Sequence, residues 1–171
     1  MNRQHPVMNV VLWIAQAVWG VFFCITGFGK VLAYDPAVWS RMLHQIPWAP
    51  GVSQWLFVFI GVCEGLGGVG LIVPAMTGVK PKFTPLAALG LTAIMILAAI
   101  FHIVRGEEHF FLPLNLVLGG VAAFIAYGRW FVRPIAPASA GTLRMLTGAA
   151  VVGALVLAGF VPVWYQSTHM H

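Results

Sequence analysis

The chain has 171 residues, of which 60% are hydrophobic and only 8% are charged. Soluble domains carry about 25% charged residues, so this chain has too little charge to cover a globule in water. Its net charge of +5 is scattered between apolar runs, and no basic stripe of the kind that binds nucleic acid is present. The composition therefore predicts an integral membrane protein in contact with the lipid bilayer and excludes a nucleic-acid partner.

Five apolar segments approach or exceed the roughly 20 residues that a membrane-spanning helix needs. They cover residues 9–33, 53–75, 83–104, 111–129 and 142–164. The first is too long for the apolar part of a signal peptide, so we expect it to remain in the protein. The sequence therefore predicts an all-α fold, a polytopic membrane helix bundle that forms a single transmembrane domain over residues 1–171.

The basic residues between the predicted spans indicate an orientation. Six of the nine flank the side of the N-terminus: Arg3, Lys80, Lys82, Arg129, Arg133 and Arg144. The other side has Lys30, Arg41 and Arg105. Because positively charged loops remain in the cytoplasm, we expect a cytoplasmic N-terminus and a C-terminus on the outside.

Two of the predicted helices carry a continuous stripe of small and polar residues at helical spacing. In the first helix the stripe is Gln16, Gly20, Phe23, Gly27 and Lys30, and in the fourth it is Asn115, Gly119, Ala122, Ala126 and Arg129. The second helix places Gly61, Gly65 and Gly68 on one face. Small residues let helix backbones approach closely in lipid, so these faces predict helix–helix contacts.

Glu64 lies within the second apolar segment, roughly 15 Å from the nearer end of that helix. A carboxylate at this depth costs about 3 kcal/mol on insertion scales, so it rarely persists without a partner or a function. Glu64 is therefore the best candidate for a catalytic residue, although the sequence assigns it no reaction. A structural ion pair or a protonated hydrogen bond is the alternative interpretation.

Four other polar residues are expected at a similar depth on the outer side, namely Lys30, His102, Arg105 and Asn115. They can surround a pocket with Glu64 at its floor, and together these five are the predicted cofactor-binding residues. A carboxylate, an imidazole and amide donors can bond the carbonyls of a quinone, relay protons or hold a small polar solute. The alternatives are snorkelling cations, an interfacial histidine and an asparagine that joins two helices.

Other reactive side chains give weaker signals. Glu107, Glu108 and His109 are interpreted as a solvated turn, and no metal site is predicted. Cys24 and Cys63 form no metal or redox motif, so we interpret them as small buried side chains, with a redox pair between the first two helices as the alternative.

Several of these segments together resemble one family. They are Thr26–Lys30 at the end of the first helix, Glu64 followed by Gly-Leu-Gly-Gly-Val-Gly-Leu, residues 84–90, residues 102–107 and residues 113–116. This pattern is similar to the DoxX and DoxX-like membrane proteins, over roughly residues 9–129. The resemblance implies a four-helix bundle in the bacterial inner membrane, with Lys30, Glu64, His102 and Asn115 as its polar core. The fifth helix and the loop over residues 35–51 depart from the family pattern.

Some DoxX relatives are subunits of membrane oxidoreductases, including a thiosulfate:quinone oxidoreductase. The resemblance therefore implies a membrane subunit of a redox system that anchors a partner redox protein and offers a quinone-accessible pocket around Glu64. Two alternatives stay open, a non-catalytic anchor or assembly factor and a small-solute or proton transporter. Whether the chain is itself an enzyme, and which partner and substrate it has, the sequence leaves undecided.

Overall fold

The computed structural model describes residues 6–169, except for the side chains of residues 108, 162–164 and 166–169. Arg3, which contributes to the predicted orientation, lies outside the described residues. The described chain contains six α-helices joined by turns and irregular segments. They are α1, Pro6–Val31; α2, Pro36–Gln45; α3, Gln54–Thr77; α4, Phe83–Val104; α5, Glu108–Tyr127; and α6, Thr142–His169. A 3₁₀ turn, Leu32–Tyr34, follows α1, and a π-helical turn, Gly128–Val132, follows α5.

All of these helices except α2 are long and apolar enough to cross a membrane, which gives five candidate spans within the described residues. The predicted fold class, a polytopic bundle of helices, is therefore confirmed. The helix ends differ from the prediction by a few residues. The fourth span begins at Glu108, before the predicted residue 111, and the π-helical turn extends it to Val132.

Glycines bring α1 and α3 into close contact. A Cβ atom at Gly61 would lie 2.7 Å from the carbonyl oxygen of Gly27, and one at Gly68 would lie 2.6 Å from that of Gly20. Real Cβ atoms do not approach a backbone oxygen this closely, so the glycines allow the two backbones to touch. The helices α4 and α5 form a second closely packed pair, while α6 packs on α1 and α3.

The segment between α1 and α3 folds into a short helix, whereas the sequence analysis treated residues 35–51 as a loop. The carboxylate of Asp35 caps α2 by accepting hydrogen bonds from the amides of Ala37 (2.8 Å) and Val38 (3.2 Å). Pro36 occupies the first position of the helix, where no amide hydrogen is needed. Met42 then packs in a buried cluster with Phe57, so the segment covers one end of the bundle.

Charge divides the bundle into two halves. The acidic half contains all four acidic residues of the chain, Asp35, Glu64, Glu107 and Glu108, together with Lys30, Arg41 and Arg105. The basic half contains Lys80, Lys82, Arg129, Arg133 and Arg144. Because the helices run up and down, α1 and α5 each have one end in either half.

A candidate ligand cavity in the acidic half

A cavity of about 420 Å³ lies in the acidic half, between the α1–α3 pair and the α4–α5 pair. This volume is within the range of about 300–1,000 Å³ that small-molecule sites occupy. Its wall is mostly apolar, and four polar or charged side chains that the sequence singled out line it: Lys30, Glu64, His102 and Asn115. The structure thus brings four of the five predicted site residues to one cavity.

Lys30 and Glu64 form an ion pair across the contact between α1 and α3, with Nζ of Lys30 donating to Oε2 of Glu64. The Glu64 side chain is only 7% exposed and that of Lys30 only 15%. Gly61 makes this pairing possible, because a Cβ atom there would lie 2.7 Å from Cβ of Lys30. The pair thus supplies the partner that a buried carboxylate requires.

The His102 ring is held by aromatic side chains at the end of α4. It stacks on Phe111 with centroids 4.2 Å apart and 16° between the planes, and Trp48 meets it edge-on at 6.2 Å. Nδ1 of His102 lies 2.9 Å from Oε2 of Glu107. The imidazole is therefore fixed between the cavity and a carboxylate, a contact that the interpretation of Glu107 as a solvated turn missed.

Arg105 does not line the cavity; it holds Glu107. Its Nε donates to Oε1 of Glu107 at 2.9 Å, and its Nη2 forms an ion pair with the same oxygen at 2.8 Å. Nη1 donates to the carbonyl oxygen of Pro50 at 2.9 Å. The hydrogen bond from Arg105, and then that from His102, lowers the pKa of Glu107 below its ordinary value. Gly51 leaves room for this contact, because it has a φ of +86° and a Cβ atom there would lie 2.9 Å from Nη1.

Asn115 presents an unpaired donor in the cavity wall. The residue is 8% exposed, and its Nδ2 finds no hydrogen-bond partner among the described residues. Oγ1 of Thr84 and Nη2 of Arg129 share this property, but neither residue lines the cavity. A buried donor left unpaired costs about 1–3 kcal/mol, so Asn115 favours a cavity occupant with an acceptor atom.

The apolar part of the cavity wall continues to side chains on the bundle surface. Phe59 of α3 is 63% exposed, Leu97 of α4 is 66% exposed and Leu114 of α5 is 46% exposed. These residues lie in the candidate spans, where the surroundings are lipid. An occupant can therefore reach the cavity from the bilayer.

Comparison with known families agrees with the resemblance that the sequence motifs indicate. The model of the DoxX-like family matches residues 14–126, well over half of the chain. The chain belongs to the DoxX-like family. The matched range contains all four polar residues of the cavity, whereas α6 lies outside it. No curated protein and no solved structure matches this DoxX-like protein significantly.

A second polar network fills the basic half of this DoxX-like protein. Arg129, which is 4% exposed, donates from Nε to Oε1 of Gln16 and from Nη1 to Oδ1 of Asn9 at 2.8 Å. Gln16 in turn donates to the carbonyl oxygen of Leu71 at 2.9 Å, and the Trp13 ring lies 5.0 Å from the guanidinium carbon. The sequence placed Arg129 at the end of the fourth stripe and among the orienting charges, but it did not predict these hydrogen bonds.

The two cysteines occupy different environments, and both are free. Cys63 lines the cavity, whereas Cys24 is fully buried, with Sγ 3.8 Å from the carbonyl oxygen of Gly65 on α3. Only Cys63 is therefore placed to report on a cavity occupant. Among the side chains that the structure describes, no three from His, Cys, Asp or Glu come together as a metal site would require.

Proposed function

We propose that this DoxX-like protein is the membrane subunit of a redox system and that it binds a quinone-class molecule in the cavity of the acidic half. The observation that carries the proposal is the unpaired Nδ2 of Asn115, a buried donor in the wall of a largely apolar cavity. Quinones combine an apolar ring and tail with oxygen atoms that accept hydrogen bonds, which is the chemistry that such a cavity selects.

The other polar groups of the cavity suit the same ligand. Lys30 supplies a second donor, while Glu64 and His102 can each take up or release a proton. The surrounding apolar side chains provide surface for the ring and for the first part of a tail, which can continue into the bilayer past exposed residues such as Phe59. The cavity thus offers both hydrogen bonds and proton exchange to an amphipathic ligand.

Lysine, glutamate and histidine side chains can transfer protons, and asparagine only forms hydrogen bonds. None of them carries electrons, so the electrons of quinone chemistry would pass through a partner oxidoreductase. We expect this partner to dock on α6, which lies outside the range that the family model matches, and on the segment that contains α2, which departs from the family pattern in the sequence motifs. With the basic half in the cytoplasm, as the positive-inside rule predicts, the cavity would lie in the outer half of a bacterial inner membrane.

The network around Arg129 favours ligand binding over transport. It occupies the basic half with a buried cation and its neutral acceptors, on the opposite side of the bundle from the cavity. A non-catalytic anchor remains the contrasting role, and it is an outcome of the experiment below.

Cys63 provides the test, with Cys24 as an internal control. The protein in lipid nanodiscs is treated with N-ethylmaleimide with and without decylubiquinone, a fully substituted quinone that does not add thiols readily. Alkylation at each cysteine is read by peptide mass spectrometry. We expect the quinone to slow alkylation of Cys63 in a saturable manner, because both occupy the cavity. Cys24 should remain unreactive throughout, since it is fully buried at the α1–α3 contact.

Asn115→Leu tests the hydrogen bond that carries the proposal, and Asn9→Leu is the matched amide substitution outside the cavity. We expect Asn115→Leu to weaken protection of Cys63 about tenfold, in keeping with the loss of one buried hydrogen bond, and Asn9→Leu to leave it unchanged. Saturating quinone that does not protect Cys63 in the unsubstituted protein would contradict the proposal. The anchor role would then be favoured.

A further inference from the structure

The contact between His102 and Glu107 determines which nitrogen of the imidazole carries the proton. Nδ1 lies 2.9 Å from Oε2 of Glu107. An ionised carboxylate can only accept hydrogen bonds, so Nδ1 must be the donor in this contact. In neutral imidazole only one nitrogen carries a proton, and the hydrogen bond made by one nitrogen fixes the state of the other. Neutral His102 therefore has a bare Nε2.

Arg105 keeps Glu107 in the form that this requires. Its Nε donates to Oε1 and its Nη2 forms an ion pair with the same oxygen, which leaves Oε2 facing His102. A guanidinium that is hydrogen-bonded and ion-paired to a carboxylate stabilises the ionised state of that carboxylate. The lowered pKa of Glu107 agrees with this geometry. Arg105 is itself held in place, because its Nη1 donates to the carbonyl oxygen of Pro50.

With Nδ1 on Glu107, Nε2 is the ring nitrogen of His102 that is left for the cavity. The ring cannot turn freely, since it is stacked on Phe111 at 4.2 Å and met edge-on by Trp48. His102 lines the cavity while its Nδ1 edge is taken by Glu107. A ligand atom that bonds to His102 from the cavity therefore meets Nε2, which accepts a hydrogen bond.

Asn115 adds the complementary donor nearby. Phe111 and Asn115 are four residues apart on α5, so they share one face at neighbouring turns of that helix. The unpaired Nδ2 of Asn115 therefore lies about one turn from the side chain on which His102 stacks. A hydroxyl group can accept from Nδ2 and donate to Nε2 at the same time. A carbonyl oxygen can only accept, and it leaves Nε2 unpaired.

We infer that the cavity prefers the hydroxyl-bearing, reduced form of its ligand, a hydroquinone or related phenol whose hydroxyl group donates to Nε2 of His102 and accepts from Asn115. Glu107 is then a positioning residue that acts through His102. This inference rests on the proposed function, because it specifies the form of the ligand in the same cavity. It assigns a role to a carboxylate that does not itself line the cavity and that contacts the cavity wall only at His102.

The test compares three ligands that differ only in their oxygen chemistry: decylubiquinol, decylubiquinone and the dimethyl ether of the quinol. Each is titrated anaerobically against alkylation of Cys63. In the unsubstituted protein we expect the quinol to give half-protection at about one tenth of the concentration needed for the other two, since one additional buried hydrogen bond is worth about tenfold.

Glu107→Gln should abolish this preference, because a glutamine amide can either accept from Nδ1 or donate to it and no longer fixes the proton. Glu108→Gln is the matched control, one residue along with the same change in charge, and it should retain the preference. His102→Gln should also lose the preference, and adding Glu107→Gln to it should change nothing further. A role of Glu107 in folding alone would instead lower protection by all three ligands equally.

The outcomes separate this inference from the proposed function. Equal protection by quinol and quinone in the unsubstituted protein overturns the inference and leaves the proposed function standing. Protection by none of the ligands overturns both. A preference that survives Glu107→Gln refutes the positioning role. Should that variant fail to fold, which alkylation of Cys24 would reveal, a preference that survives His102→Gln overturns the inference.

Discussion

The polar residues at the two ends of the stripes on α1 and α5 have different environments. Gln16 of α1 and Arg129, just after α5, lie in the basic half and bond directly to each other. Lys30 and Asn115, at the other ends of the same two stripes, lie in the acidic half and line the cavity. The two stripes have the same spacing. Their polar residues therefore bond to each other in the basic half and are separated by the cavity in the acidic half.

This difference shows where each half leaves a hydrogen-bond donor unpaired. In the basic half, Arg129 donates to Gln16 and Asn9, and Gln16 donates to the backbone of α3. Nη2 of Arg129 is nevertheless buried without a partner among the described residues, and it does not line the cavity. In the acidic half, Lys30 and Glu64 bond to each other, and the unpaired Nδ2 of Asn115 belongs to a residue of the cavity wall. Of these two donors, that of Asn115 is therefore the one placed to meet a cavity occupant.

The largest expected effect comes from breaking the ion pair of the acidic half. Glu64→Gln leaves the ammonium of Lys30 without its charged partner, and such a loss costs about 3 kcal/mol of unfolding free energy. Replacing both residues, as Lys30→Met with Glu64→Leu, should recover most of that loss. Equilibrium unfolding in mixed micelles of sodium dodecyl sulfate measures both. A double variant less stable than Glu64→Gln would argue against the pair as the dominant interaction.

A smaller effect is expected in the basic half. Arg129→Met removes the donor to Gln16 but also removes a buried cation, so we expect a loss of about 1–2 kcal/mol in unfolding free energy. Protection of Cys63 by decylubiquinone should be unchanged, because this network is separate from the cavity. Weaker protection of Cys63 in Arg129→Met would contradict the expectation that the basic half stabilises the fold without affecting the cavity of the acidic half.

The smallest effect concerns pH. The pKa of Glu107 is lowered in the folded protein, so its contribution to stability is complete above the ordinary carboxyl pKa and is lost as the pH falls through the lowered value. Melting temperatures between pH 7 and pH 3 should therefore decline below about pH 4. Glu107→Gln should flatten that decline. The basic half contains none of the four carboxylates and should add nothing to it.

Much of this architecture follows from sequence patterns. Apolar length predicts five spans, and the glycines of α1 and α3 predict a close contact that the structure contains. The depth of Lys30, Glu64, His102 and Asn115 was also sufficient to expect a shared pocket, although their part in binding a ligand stays a prediction. These inferences succeed because they depend on periodicity and on the cost of burying charge.

What the sequence did not reveal depends on local backbone geometry. Arg129 was expected at the end of the fourth stripe, but the sequence did not show that a π-helical turn would place its guanidinium on Gln16. Glu107 looks like part of a solvated turn, because its contact with His102 spans the end of α4 and depends on where Arg105 holds it. The helix α2 could have been expected, since Asp35 followed by Pro36 is a common helix start.

The exposed apolar rim of the cavity, formed by residues such as Phe59 and Leu97, has a consequence for how occupancy is controlled. A ligand that arrives through the bilayer is already concentrated in two dimensions, and the relevant quantity is its mole fraction in the lipid. Occupancy would then follow the composition of the surrounding membrane and not the aqueous concentration. Under the inferred preference for a hydroquinone, occupancy would also depend on the fraction of the ligand in the membrane that is reduced.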